Sequence, residues 1–256
     1  MKIIALGDVV GKAGRTSLSA VLPALKSKYS PDLVIVNGEN SSSVNGISRN
    51  SLADLYNCGA DVVTTGNHAF KHRDIYSEFE KDQGLIRPAN FHPSSSGKGY
   101  YLFERKANRA LVVNLLGAAF LDPYENPFET MEKILSQNDC KIVIVDFHGE
   151  ATAEKISFAR HFDGRISLVF GTHTHVQTAD ETIFPGGTGY ITDLGMCGPI
   201  DSVIGVKTEL AVKKMMTKLP VVFENADGPC KINGIFAVID DKTAKCLSVE
   251  RIAVEK

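Results

Sequence analysis

Short, continuous runs of β-branched and aliphatic residues alternate with helical patterns along the first two-thirds of the chain. The runs fall at 2–6 (KIIAL), 32–37 (DLVIVN), 61–65 (DVVTT), 109–117 (RALVVNLLG), 141–147 (KIVIVDF) and 165–170 (RISLVF). Uninterrupted apolar runs, without strict alternation, mark strands covered on both faces. Between them, helical patterns occupy 16–29, with Pro23 as a kink point, then a short segment at 51–58, and finally 127–138 and 151–162. Strands alternating with helices in this way specify an α/β fold. The polar stretches 41–46 (SSSVNG) and 92–99 (HPSSSGKG) read as loops.

The last third has a different rhythm. GYITDLG (189–195), LPVVFENA (219–226), INGIFAVID (232–240) and CLSVERIAV (246–254) read as strands joined by tight turns, with one helix at 208–218. That pattern predicts a second, more antiparallel sheet built from this part of the chain. With no low-complexity linker and no internal repeat, residues 1–256 are expected to form a single domain with a layered α/β core.

Composition adds mainly exclusions. The 256 residues are 43% hydrophobic and 23% charged, within the ordinary globular range. A formal net charge of −2 with no basic block argues against an extended nucleic-acid footprint, though not against a single nucleotide. No apolar run reaches the roughly 20 residues that span a bilayer. The N-terminal apolar patch breaks at Gly7-Asp8 with no small-residue cleavage site after it, so it reads as a first strand and not as a signal peptide. Five scattered cysteines (58, 140, 197, 230 and 246) without a C-x-x-C pair fit the reducing cytoplasm. Cys197, in the Gly-rich stretch DLGMCGP, is the one with a candidate functional setting.

The chemistry sits at the strand ends. Asp8 follows the first run, and Glu39 and Asn40 follow the second in NGENSS. Asn67 and His68 follow the third in TGNHAF, and His148 follows KIVIVDF. His173 and His175 follow RISLVF in FGTHTH, and on an extended backbone such i, i+2 side chains face one way, about 6–7 Å apart at Cα. Open α/β sheets bind ligands beyond the carboxyl ends of their strands. Carboxylate, amide and imidazole together, with no thiol, suit manganese, iron or zinc and suit calcium poorly. The donors exceed the need of one tetrahedral ion, whereas two ions sharing a carboxylate would use them all.

In order along the chain, GD, GEN, GNH, H and GTHTH resemble the calcineurin-like metallophosphoesterases. The stretches GDVVGKAGR, VNGEN, TGNHAF, RPANF, DFHGEATAEK, FGTHTHVQTAD, TDLGMCGP and DSVIG resemble its YmdB-like bacterial branch more closely, from residue 7 to 205. The resemblance implies a metallophosphoesterase sandwich of two mixed β-sheets flanked by helices. It also implies a dinuclear centre and phosphodiesterase chemistry on cyclic nucleotides, 2′,3′ or 3′,5′, by water activated between the ions.

Two departures from the wider superfamily matter. Val10 stands where Asp-x-His would place a histidine, and Glu39 stands in place of a bridging Asp. The expected assignment therefore gives one ion Asp8, Glu39, Asn40 and His175, and the other Glu39, Asn67, His148 and His173. His68 is left to face the phosphate as charge stabiliser or general acid. Iron or manganese is the expected metal, with zinc as the alternative.

The remaining residues carry less. His68 and His72 are spaced for zinc only if HAFKH is helical, so His72 reads as solvated. His92 has no assigned role, and His161 reads as a solvated or capping helix residue. Arg15 and the GMCGP loop are candidates to border the substrate. GDVVGKAG lacks the G-K-[ST] ending of a phosphate-binding loop. An amidohydrolase would carry H-x-H after its first strand, where this chain has Asp8. Two alternatives stay open: a nucleotidase-type phosphomonoesterase on the same site, and a regulatory partner in RNA processing or signalling whose metal site is structural. The oligomeric state is open as well, and the apolar strands of the last third are the candidates for contact with a second copy.

Overall fold

The computed structural model describes all residues, 1–256. In chain order the elements begin with β1 (Lys2–Leu6), β2 (Asp8–Val9), α1 (Gly11–Tyr29), β3 (Leu33–Asn37), α2 (Arg49–Cys58), β4 (Val62–Thr64) and α3 (Tyr76–Phe79). They continue with β5 (Tyr100–Arg105), β6 (Asn108–Leu116), α4 (Pro127–Gln137), β7 (Val143–His148), α5 (Thr152–His161) and β8 (Leu168–Thr172). The last are β9 (Thr182–Ile183), β10 (Gly189–Ile191), β11 (Met196–Pro199), α6 (Thr208–Thr217), β12 (Cys230–Ile239) and β13 (Cys246–Glu255). No helix is long and apolar enough to cross a membrane.

The strands form two mixed sheets. The first runs β2-β11-β12-β1-β3-β4, with β13 also paired to β12, and β1, β3 and β4 parallel up to the β4 edge. The second runs β5-β6-β7-β8-β10-β9, with β6, β7, β8 and β10 parallel. Alternation along the buried strands sorts side chains between layers. Ile3, Ala5, Leu33 and Ile35 meet Val112, Ile144, Leu168 and Phe170 between the sheets. Ile4, Leu6, Val34 and Val36 turn the other way, onto Leu18 and Leu22 of α1 and Leu55 of α2. Val113, Val145 and Val169 pack on Met131 of α4 and Phe158 of α5. Each fully buried aliphatic side chain in these layers contributes about 1.5–3 kcal/mol. The result is the expected sandwich of two mixed sheets flanked by helices.

Several expectations are corrected. The last third does not build a sheet of its own. β12 inserts beside β1, pairing Lys2 with Val238 through Leu6 with Gly234, and so sits inside the first sheet. Residues 219–226 form no strand, and only an isolated bridge joins Val206 and Asn225. Pro220 lacks a backbone donor, and the exposed Leu219 and Val222 have no apolar layer to cover. GMCGP is a strand, β11, and not a loop, because Cys197 pairs with Ile232 and its side chain is buried. Helix α1 starts at Gly11 and runs unbroken past Pro23, whose ring lies on the exposed face. Gly14 lets it press against β11, since a Cβ there would lie 2.3 Å from the Cys197 carbonyl oxygen.

Candidate metal centre

Five chain segments converge at the carboxyl ends of the parallel strands of both sheets. Asp8 opens β2 two residues past the end of β1, Glu39 and Asn40 follow β3, Asn67 and His68 follow β4, and His148 closes β7. His173 and His175 follow β8. Their functional atoms fall into two overlapping groups. In the first, the Asn40 side-chain amide lies 3.1 Å from His175 Nε2, 3.3 Å from Asp8 Oδ1 and 3.4 Å from Glu39 Oε1. In the second, His148 Nε2 lies 3.0 Å from Glu39 Oε1, 3.2 Å from Asn67 Oδ1 and 3.0 Å from His173 Nδ1. Glu39 belongs to both, and one ligand atom each from Glu39, His148 and His173 lies within 4.8 Å of the others.

This donor set fits divalent cations. His148 Nε2 faces three atoms that can each offer a lone pair, yet an imidazole nitrogen carries one hydrogen at most. A cation among them satisfies all at once. Gly66 keeps the space clear: a Cβ there would lie 2.2 Å from Glu39 Oε2 and 2.4 Å from His148 Nε2.

Electrostatics points the same way. Burial pushes the Asp8 carboxyl up, but the His175 and His148 imidazoles outweigh it and hold it well below the usual range. Glu39 is likewise held low against its burial, chiefly by His148. Burial disfavours the His148 imidazolium, yet Glu39 and Asp8 raise its pKa to about 9, and Asp8 raises that of His175. Two buried carboxylates thus create a demand for positive charge that protons meet in the metal-free chain and divalent ions would meet better.

The histidines do not project from a strand. β8 ends at Thr172, and His173 (φ 101°) and His175 (φ 67°) both adopt the left-handed backbone that side chains seldom occupy. Period-2 alternation therefore does not explain how they converge. A buried ion pair holds this turn: Lys155 Nζ of α5 donates to the Thr172 carbonyl oxygen at 2.9 Å and to Asp193 Oδ2 at 2.7 Å. Asp193 in turn accepts the backbone N–H of Thr174 and of Gly195. The His173 backbone N–H donates to Asp8 Oδ2 at 3.1 Å.

Each histidine's second nitrogen is also engaged, which fixes which nitrogen faces the cluster. His148 Nδ1 lies 2.8 Å from Thr172 Oγ1, His175 Nδ1 lies 2.8 Å from the Ile204 carbonyl oxygen, and His173 Nε2 lies 3.0 Å from Glu150 Oε2. Thr172 Oγ1 donates to Asp146 Oδ1 at 2.6 Å, and Asp146 also accepts from Asn37 and Thr64 of the first sheet. Burial raises the Asp146 carboxyl to about 6 despite these donors. Asp146 therefore ties the two sheets together beneath the cluster.

A cleft of about 280 Å³ opens onto the cluster, lined among others by Glu39, His68, Glu150, His173 and Ile204. His68 is half-buried there, and its backbone N–H donates to Glu39 Oε2 at 3.1 Å. Burial lowers its pKa more than Glu39 raises it. His72 is not in a helix with His68, and its Nε2 meets the Asn45 carbonyl oxygen at 3.0 Å, a contact that replaces the expected solvation. His92 pairs with Ser94 and packs edge-on to Tyr124. His161 is exposed beside Glu132. Arg15 ties α1 to Asp54 and the Ser41 carbonyl, outside the residues lining the cleft. The Cys197 thiol is fully buried and its pKa is pushed up to about 12, which leaves it chemically quiet.

Residues 4–252 match the family model described as YmdB-like protein. A Bacillus subtilis relative named 2′,3′-cyclic-nucleotide 2′-phosphodiesterase is 40% identical over 256 residues, covering 99% of this chain and 97% of that protein. A crystal structure of a novel phosphatase from Mycoplasma pneumoniae superposes with a TM-score of 0.94 at 40% identity, covering 100% of this chain and 93% of that one. A Staphylococcus aureus putative 5′-nucleotidase shares the fold at 15% identity, with a TM-score of 0.61 over 99% of this chain and 54% of that one. The chain belongs to the YmdB-like family and carries the metallophosphoesterase sandwich.

Proposed function

We propose that the chain is a metal-dependent phosphodiesterase acting on cyclic nucleotides, with 2′,3′-cyclic nucleotides as the first class to test. The observation that carries this reading is the convergence of two carboxylates, two amides and three imidazoles in one cluster onto which the cleft opens. In this reading Asp8, Glu39, Asn40 and His175 hold one divalent ion, and Glu39, Asn67, His148 and His173 hold the other. Iron or manganese suits these ligands, with zinc as the alternative. Bound there, two ions would supply an acidified water and neutralise the phosphoryl oxygens.

The chain's own groups do the rest. His68, at the cleft wall, hydrogen-bonds the phosphoryl group. A bound phosphate anion raises the imidazole pKa that burial depresses, and so prepares it to act as an acid. As water adds to phosphorus and one ester P–O bond breaks, His68 delivers its proton to the departing sugar oxygen. The name of the Bacillus subtilis relative supports the 2′,3′-cyclic class. That of the Mycoplasma pneumoniae structure keeps a phosphomonoesterase as the second reading. Five free cysteines support a reducing, cytoplasmic setting.

The test uses protein stripped of metal and reloaded with manganese. It is assayed on bis-p-nitrophenyl phosphate, p-nitrophenyl phosphate and a panel of cyclic nucleotides, beside Glu39→Gln. Diester turnover should require metal, exceed monoester turnover, and fall by at least about 100-fold in the variant. Faster monoester turnover would select the phosphatase reading. No turnover with two ions bound per chain would overturn the enzyme reading in favour of a regulatory module.

A further inference from the structure

Glu150 has no place in the expected ligand set, yet it touches one of its members. It follows Gly149 in the turn between β7 and α5, and its side chain is 52% exposed at the cleft. Its Oε2 lies 3.0 Å from His173 Nε2, while the same ring's Nδ1 lies 3.0 Å from His148 Nε2 inside the cluster. His148 is held from within the fold by the buried Thr172 hydroxyl, and His175 by a main-chain group, the Ile204 carbonyl. His173 alone is held by an exposed side chain. Its backbone, at φ 101°, belongs to no strand or helix that would fix the ring.

We infer that Glu150 is a positioning residue. It accepts the Nε2–H of His173, and so keeps the Nδ1 lone pair aimed at the space shared with Glu39, Asn67 and His148. A carboxylate on the far nitrogen orients a metal-binding imidazole and fixes its tautomer, and losing such a partner typically costs 10–100-fold in metal affinity. Because the carboxylate stands in solvent, removing it leaves every core layer intact. The assignment rests on the two-ion reading above only for its effect on metal, and not for its effect on the imidazole.

Two variants separate acceptor from charge: Glu150→Ala removes both, whereas Glu150→Gln keeps an oxygen that can accept from Nε2–H. Long-range proton–nitrogen spectra of the metal-free chain at pH 8 should show His173 protonated at Nε2 in the parent and in Glu150→Gln. In Glu150→Ala the His173 signals should move or broaden. Calorimetric titration of stripped protein with manganese should find one site weakened about 10–100-fold in Glu150→Ala, the other unchanged, and both within about threefold of the parent in Glu150→Gln. Unchanged spectra and affinities in Glu150→Ala would overturn the inference, as would a Glu150→Gln loss equal to that of Glu150→Ala. If the parent takes up fewer than two ions, the two-ion reading fails, and the metal-free spectra still decide the role of Glu150.

Discussion

Gly66 shows how little room the donor cluster leaves. It sits between β4 and Asn67, and an added Cβ would lie 2.2 Å from the Glu39 carboxylate and 2.3 Å from the His148 ring. Both neighbours are buried, so neither can swing into solvent. In Gly66→Ala the methyl group would displace Glu39, which serves both proposed ion sites, or His148, which serves one. We expect metal affinity to fall by about 100-fold, comparable with loss of a ligand's partner. The far-ultraviolet circular dichroism should be retained. Parent-like affinity in a folded Gly66→Ala protein would mean that the cluster is not where the ions bind.

At the scale of elements, the turn after β8 depends on a helix. Lys155 of α5 and Asp193, both buried, join the end of β8 to the segment between β10 and β11. Removing one partner of such a pair leaves an uncompensated charge and typically costs about 3–5 kcal/mol. Lys155→Met should lose that much stability in urea unfolding, and the His173 and His175 resonances should shift more than those of His92. A loss below about 1 kcal/mol would show that the pair contributes little.

This turn also marks where the sequence was legible and where it was not. That His173 and His175 belong together could be read from H-x-H after an apolar run. Their left-handed backbone could not, because Lys155 and Asp193 lie 38 residues apart in sequence and meet only in the fold. Asp146 was hidden for a related reason: one carboxylate inside KIVIVDF gains meaning only when Asn37 and Thr64 arrive from the other sheet. Glu150 carried no signal of its own, because its contact with His173 is made only in the fold. Continuous apolar runs gave the parallel strands correctly. They could not tell that β12 joins β1, since strand partners are not written in the periodicity of either strand.

For the whole molecule, metal and fold are thermodynamically linked. An ion present at 100 times its dissociation constant stabilises the native state by about 2.7 kcal/mol. The metal-free chain has its own pH signature. His148 has its pKa raised from 6.5 to about 9, so its imidazolium contributes stability that is full below pH 6.5 and lost as pH rises through 9. An ion on Nε2 leaves no such proton to lose. Melting temperatures of the chelator-treated protein should therefore fall between pH 6.5 and 9, while those of the manganese-loaded protein should hold. Parallel curves would show that the buried carboxylates are not compensated by His148.

The position of β12 has a consequence for how the molecule comes into being. β1 pairs on one side with β3, about thirty residues away, and on the other with β12, more than two hundred residues away. During synthesis the N-terminal part emerges first, and distant pairings are slow to close. The first strand must therefore wait with one edge bare until β12 has been synthesised. Asp8, two residues past that strand, waits with it: the second sheet can order early, but the cluster is completed among the last events of folding.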